Sequence, residues 1–192
     1  MKTMGIAIAA ALLAGGAGEA LAGADSIEAI RAATAKYADV NVALAEGFIP
    51  APPGDCVSAA MEGLPAELGA MGIHYVSPAL LGLFPPDGGR VNGNGMNADF
   101  TTPSILLYEP QSDGSLKLVG VENLIFKAAW DAMGTGSMPM FGNQPWDTMA
   151  DMGDTPGDEA HGFEPHYDLH VWTERENPAG MFTPFNPAVT CM

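Results

Sequence analysis

Residues 104–126 read SILLYEPQSDGSLKLVGVENLIF. Two apolar runs, 104–109 and 116–126, flank the turn sequence Gln111-Ser112-Asp113-Gly114-Ser115, which is the pattern of an antiparallel β-hairpin. Strict alternation along the second run puts Leu116, Leu118, Gly120 and Glu122 on one face and Val119, Val121 and Asn123 on the other. Glu122 then lies on a mainly apolar row, where a carboxylate is rarely left without a partner.

Working outward, MGIHYVS (71–77) and HYDLHVWT (166–173) carry β-branched and aromatic residues and are expected to be strands. Asp25 to Gly47 reads as one amphipathic helix, with Asp25 and Glu28 as a capping box and Gly47 as the stop. Its apolar stripe runs through Ile27, Ile30, Tyr37 and Leu44, with Ala33 and Val40 between. A short helical turn is expected within Pro65–Ala70 and another near Lys127–Met133. Residues 81–103 and most of 127–164 hold too many Gly, Asn and Pro for regular structure. No internal repeat and no second domain is visible. The expected fold is α+β: a small antiparallel sheet or partly closed β-barrel, with the N-terminal helix packed on it and long Gly/Pro-rich loops.

The first residues, MKTMGIAIAAALLAGGAGEALAGADS, have one Lys ahead of an Ala-rich apolar run and an Ala20-x-Ala22 site, the layout of a secretory signal peptide. Residues 1–22 are therefore expected to be removed, with cleavage after 22 or 24, leaving a single domain over 23–192. Gly15, Gly16, Gly18 and Glu19 interrupt the run before the roughly 20 residues that a membrane span needs, and no later stretch is apolar for long enough. These features predict a secreted or periplasmic protein with no transmembrane segment in the mature chain. The formal charge is −16, and Lys2 and Glu19 cancel, so removal of the leader leaves it unchanged. So acidic a chain repels phosphate backbones, which excludes nucleic acid as a partner. Cys56 and Cys191 are the two cysteines; in an oxidising compartment they are expected to form a disulfide rather than to act as thiolate metal ligands.

Within HYDLHVWT, His166, Asp168 and His170 occupy every second position. One reading is the wet face of an ordinary strand; the other is a set of metal ligands. On a strand His166 and His170 lie roughly 13 Å apart, too far for both to bind one ion without a bend or bulge. An ion shared between strands fits better, with His74, Glu122 and one or two of His166, Asp168 and His170 converging across a sheet face. Imidazoles with a carboxylate suit a transition metal, copper or zinc first, and an Asp or Glu can also hold a ligating His from behind. The fourth histidine, His161, lies in the acidic loop just before the strand.

Other clusters weigh less. Met133, Met138, Met140, Met149 and Met152 fall close together; thioethers favour Cu(I), but Met also fills irregular packing under loops. Asp147, Asp151, Asp154, Asp158 and Glu159 lack the alternating spacing of a calcium loop and read as a solvated acidic loop. No motif for covalent haem, a serine hydrolase or a phosphate loop is present, so no residue is assigned a catalytic role. Any enzyme chemistry would rest on carboxylates and imidazoles, with or without a metal; in a hydrolytic or oxidative reaction at a metal-bound water, Glu122 or Asp168 would be the general base.

The combination of KYADVNVALAEGF, MGIHYVSP, LLYEP, VGVEN and HYDLHVWTERENPAGMFTPFNPAVTC resembles a set of uncharacterised exported bacterial proteins. The resemblance covers most of the mature chain and implies export, and it carries no activity, fold or ligand with it. The leading expectation is thus an exported metal-binding protein with His74, Glu122, His166, Asp168 and His170 around the ion. Two rivals are a metal-free module that binds a small molecule in a pocket lined by Tyr75, Tyr108, Trp130 and Trp172, and a structural envelope protein.

Overall fold

The computed structural model describes residues 26–85, 89–151 and 160–192. The expected leader, Asp25 of the expected capping box, and Met152, Asp154, Asp158 and Glu159 lie outside the described residues. Nine strands are described: β1 (Ile49–Pro50), β2 (Cys56–Ser58), β3 (Ala70–Val76), β4 (Ile105–Pro110), β5 (Leu116–Phe126), β6 (Met140–Phe141), β7 (Gln144–Pro145), β8 (Asp147–Met149) and β9 (His166–Val171). Seven of them form one antiparallel sheet in the order β1-β3-β4-β5-β9-β8, with β2 also paired to β3; β6 and β7 pair separately. The fold is α+β, as expected, but the sheet is open: β1, β2 and β8 end it, and no pairing closes it into a barrel.

The expected single N-terminal helix is two short ones. Helix α1 (Ile27–Thr34) passes into a 3-10 turn (Ala35–Ala38), and α2 (Val40–Ala45) restarts after Asp39, whose extended backbone (ψ 108°) breaks the helical path. Asp39 instead caps α2, accepting from the Asn41 amide at 2.9 Å. The described cap of α1 is Ser26, whose hydroxyl accepts from the Ala29 amide at 3.0 Å. Gly47 ends the segment at φ +92°, a backbone conformation that favours glycine. Two further helical turns, α3 (Pro78–Leu81) and α4 (Lys127–Asp131), follow β3 and β5.

The hairpin of β4 and β5 lies at the centre of the sheet, and its pairing carries one irregularity. Leu107 pairs with Gly120 but Tyr108 pairs with Leu118, so Val119 is an extra residue on β5. Such a bulge reverses the alternation of side chains beyond it. Leu116 and Leu118 therefore share a face with Val121 and Ile125, while Val119 shares the opposite face with Leu124 and Phe126. This corrects the simple alternation read from the sequence: Glu122 lies across the sheet from Leu116 and Leu118. The Val119 carbonyl accepts from the Glu174 and Arg175 amides, both at 3.1 Å, so the bulge is held by the chain after β9.

Both faces of the sheet are covered. On one, Ile30, Tyr37, Ala43 and Phe48 of the N-terminal segment pack with Leu106, Tyr108, Val121, Ile125 and Leu169. On the other, Ala70, Ile105, Leu107, Leu124, Phe126 and Trp172 pack under Leu81, Phe163 and Val189. Burial on both sides explains why β4 and the second half of β5 read as nearly continuous apolar runs. The C-terminal segment is tied across the structure. Asn186 bridges to Ala70, Glu109 accepts from the Thr190 amide at 3.0 Å and from Arg175, and Cys56 is bonded to Cys191. The expected disulfide is present.

Candidate metal site

The second face of the sheet carries His74 on β3, Glu122 on β5 and His170 on β9. Register explains their meeting: Glu122 pairs directly with His170 and with Ile105 on β4, and His74 pairs with Leu107 on β4. One ligand atom from each of the three lies within 4.8 Å of the others. The Oε2 atom of Glu122 is 3.3 Å from Nε2 of His74 and 3.4 Å from Nε2 of His170. The two imidazoles meet edge to face, with centroids 5.9 Å apart.

Burial here is nearly complete. Glu122 is 3 % exposed, Asp168 3 % and His170 1 %. Oε2 of Glu122, Oδ1 of Asp168 and both ring nitrogens of His170 have no hydrogen-bond partner. The close contacts of Glu122 with the two histidines thus lack hydrogen-bond alignment. Buried polar atoms without partners cost roughly 1–3 kcal/mol each, so four in one place mark a site built for something other than stability. The wet-face reading of HYDLHVWT is overturned: all six residues of β9 are buried, because loops cover the face that His166, Asp168 and His170 share. Glu122, on a central strand, is likewise shut off from water.

Electrostatics shift the members of the group in different directions. Burial pushes the His170 pKa down to about 4; Glu122 opposes this and His74 adds to it. Burial also lowers that of His166. For Glu122 burial acts upward, but the adjacent His170 and His74 outweigh it and hold the carboxyl below its ordinary range. Asp168 goes the other way, raised well above the carboxylate range by burial, then by Glu122 and Asp147. At neutral pH the cluster is one carboxylate with neutral imidazole at His170, beside an Asp168 whose neutral form is favoured by burial. Metal ligation requires deprotonated donors of this kind.

His166 and Asp168, also expected as ligands, line the same cavity but lie outside the three-residue cluster. Nδ1 of His166 is 2.9 Å from the Glu164 carbonyl, and Oδ2 of Asp168 is 3.9 Å from Nδ1 of His170. The cavity has a volume of about 280 Å³. Four histidines are all the chain has, and all four line it. The reading from sequence omitted His161 as a site residue. It sits at φ 51° with Nδ1 3.2 Å from Oε2 of Glu62, on a loop whose return to the sheet no local pattern announces. The expected aromatic pocket does not form. Tyr75 and Tyr108 pack on the helix-covered face, with Trp130 against the same cluster, and Trp172 stacks beside His170 at 6.3 Å without lining the cavity. The exposed Met133, Met138 and Met140 also take no part in it. Among the described residues no helix is long and apolar enough to cross a membrane.

Comparison of the chain with protein-family models, curated proteins and solved structures returns no match.

Proposed function

We propose that this is an exported metal-binding protein that holds one transition-metal ion, copper or zinc, between His74, Glu122 and His170. The observation that carries the reading is the convergence of three ligand atoms at the base of a buried cavity, with Glu122 Oε2 and His170 Nε2 left without hydrogen bonds. Two of the three spacings suit a tetrahedral ion, and the third lies within 4.8 Å. Bonds of roughly 2.0–2.1 Å imply about 3.3 Å between neighbouring ligand atoms, against 3.3 and 3.4 Å from Glu122 to the two histidines. Two imidazoles and one carboxylate are a zinc ligand set that keeps a position open, and copper accepts the same donors. Asp168, facing the far side of the His170 ring, stands where an outer carboxylate would orient a ligating imidazole. Export rests on the signal-peptide pattern of residues 1–22, and the Cys56–Cys191 bond supports it, since disulfides persist in oxidising compartments.

The test is elemental analysis of protein exported into an oxidising compartment, without an affinity tag, after exposure to copper and zinc and exhaustive dialysis. The wild type and His166→Ala are expected to retain close to one ion per chain, and His170→Ala to lose it while its circular dichroism stays unchanged. A wild type that retains neither metal would overturn the reading. Loss from His166→Ala as great as from His170→Ala would overturn the ligand assignment.

A further inference from the structure

The cavity above the three ligands is built from two kinds of surface. Met71, Val76, Ile105, Leu124 and Phe163 give it apolar walls, while Asp55 and Glu62 bring carboxylates to it beside His161. Among the described residues no Lys or Arg lines it. Even against the two positive charges of a divalent ion, three carboxylates (Glu122, Asp55 and Glu62) face the cavity. A cavity of this polarity disfavours anions. Its 280 Å³ corresponds to a molecule on the order of ten non-hydrogen atoms, at ~30 Å³ for each water-sized group.

We propose that the cavity is a binding site for a small, uncharged, largely apolar nitrogen base of the imidazole or pyridine class, whose ring nitrogen takes the open position on the metal. The inference rests on the metal reading above and adds the class of ligand. Carboxylates and phosphates, which commonly occupy open metal positions, are selected against by Asp55 and Glu62. The apolar walls take up the body of the ligand.

The experiment uses cobalt(II)-loaded protein, in which ligand binding shifts the visible bands of the metal. Titration with 4-phenylimidazole is compared with benzoate, a ligand of similar size and opposite preference. The base is expected to bind at least about tenfold tighter, the factor that about 1.4 kcal/mol of charge discrimination provides. Asp55→Asn combined with Glu62→Gln is expected to narrow that ratio several-fold at unchanged cobalt content. Val57→Trp, a half-buried position on the cavity wall, is expected to abolish 4-phenylimidazole binding while cobalt is retained. Benzoate binding as tightly as the base, or a Val57→Trp protein that still binds it, would overturn this inference and leave the metal site standing. Failure of the wild type to take up cobalt, copper or zinc would overturn both.

Discussion

Glu122 and Asp168 are two carboxyls on the same sheet face, both almost fully buried, yet their surroundings shift them in opposite directions. Glu122 has an imidazole on either side, His74 and His170. Asp168 has Glu122 and Asp147 as its charged neighbours, and burial dominates. A folded-state pKa above the unfolded value means that the native protein holds a proton the unfolded chain releases. Stability from this proton is fully present below about pH 4 and is lost as pH rises towards the folded pKa of Asp168. Asp168→Asn keeps the shape and removes the titration. In metal-free protein this variant is expected to match the wild type near pH 4 and to exceed it at pH 7, by on the order of 1–3 kcal/mol. Urea unfolding at the two pH values measures the difference. An equal offset at both would show that the Asp168 carboxyl does not titrate differently in the folded state. His170 contributes the reverse slope, because its folded pKa of about 4 lies below the ordinary histidine value. Its share of stability falls as pH drops from about 6.5 to about 4, and the Asp168→Asn protein exposes that slope.

At the scale of elements, the bulge at Val119 decides which residues meet. With Val119 paired in regular alternation instead of bulged, β5 beyond Gly120 would present Val121 and Asn123 to the cavity and turn Glu122 into the core beneath the N-terminal helices. Inserting an alanine between Gly120 and Val121 shifts the rest of β5 by one position, and is therefore expected to abolish metal retention even in whatever fraction of the protein still folds. It also buries Glu122 among Ile30, Tyr37 and Leu169, at a cost of several kcal/mol. Metal content and the urea midpoint of the insertion variant test this; retention of metal at wild-type stoichiometry would show that the register does not control the site. Gly72 is a second constraint in the same region. At φ +100°, a Cβ there would lie 2.7 Å from the Tyr108 carbonyl oxygen, so β3 approaches β4 closely two residues before His74 only because that side chain is absent.

The whole molecule is held across its length by the Cys56–Cys191 bond, which spans 135 residues. A loop of this size has a chain-entropy contribution of about 5 kcal/mol, and native bonds of this kind typically contribute 2–5 kcal/mol. Cys56→Ser combined with Cys191→Ser is expected to lower the unfolding free energy by about that amount. Metal retention should survive, since the ligands sit on β3, β5 and β9, which pair continuously through β4. Equilibrium unfolding and elemental analysis of the double variant check the two statements separately. Loss of metal from a folded variant would mean that the disulfide-tied β2 edge is needed to hold the ligands.

Local pattern determined much of this protein by itself. The Gln111–Ser115 turn between two β-rich runs specified the hairpin, the apolar and β-branched residues around His74 and His170 specified the flanking strands, and the paired cysteines specified the disulfide. Period-two spacing also placed His166, Asp168 and His170 on one face. What it left open was whether that face is wet, because alternation records only that two faces differ. Tertiary structure decided the rest. Residues 51–62 and 160–163, distant in sequence from both His74 and Glu122, cover the polar face and make it a cavity. The bulge at Val119 depends on pairing with β4 and with the segment after β9, contacts that no local periodicity contains. The helical stripe of 25–47 was legible, but its break at Asp39 was not, since an extended residue inside a helical pattern follows from how α1 and α2 fit the sheet. The candidate site is a property of register and covering loops, which arise only when distant segments pack.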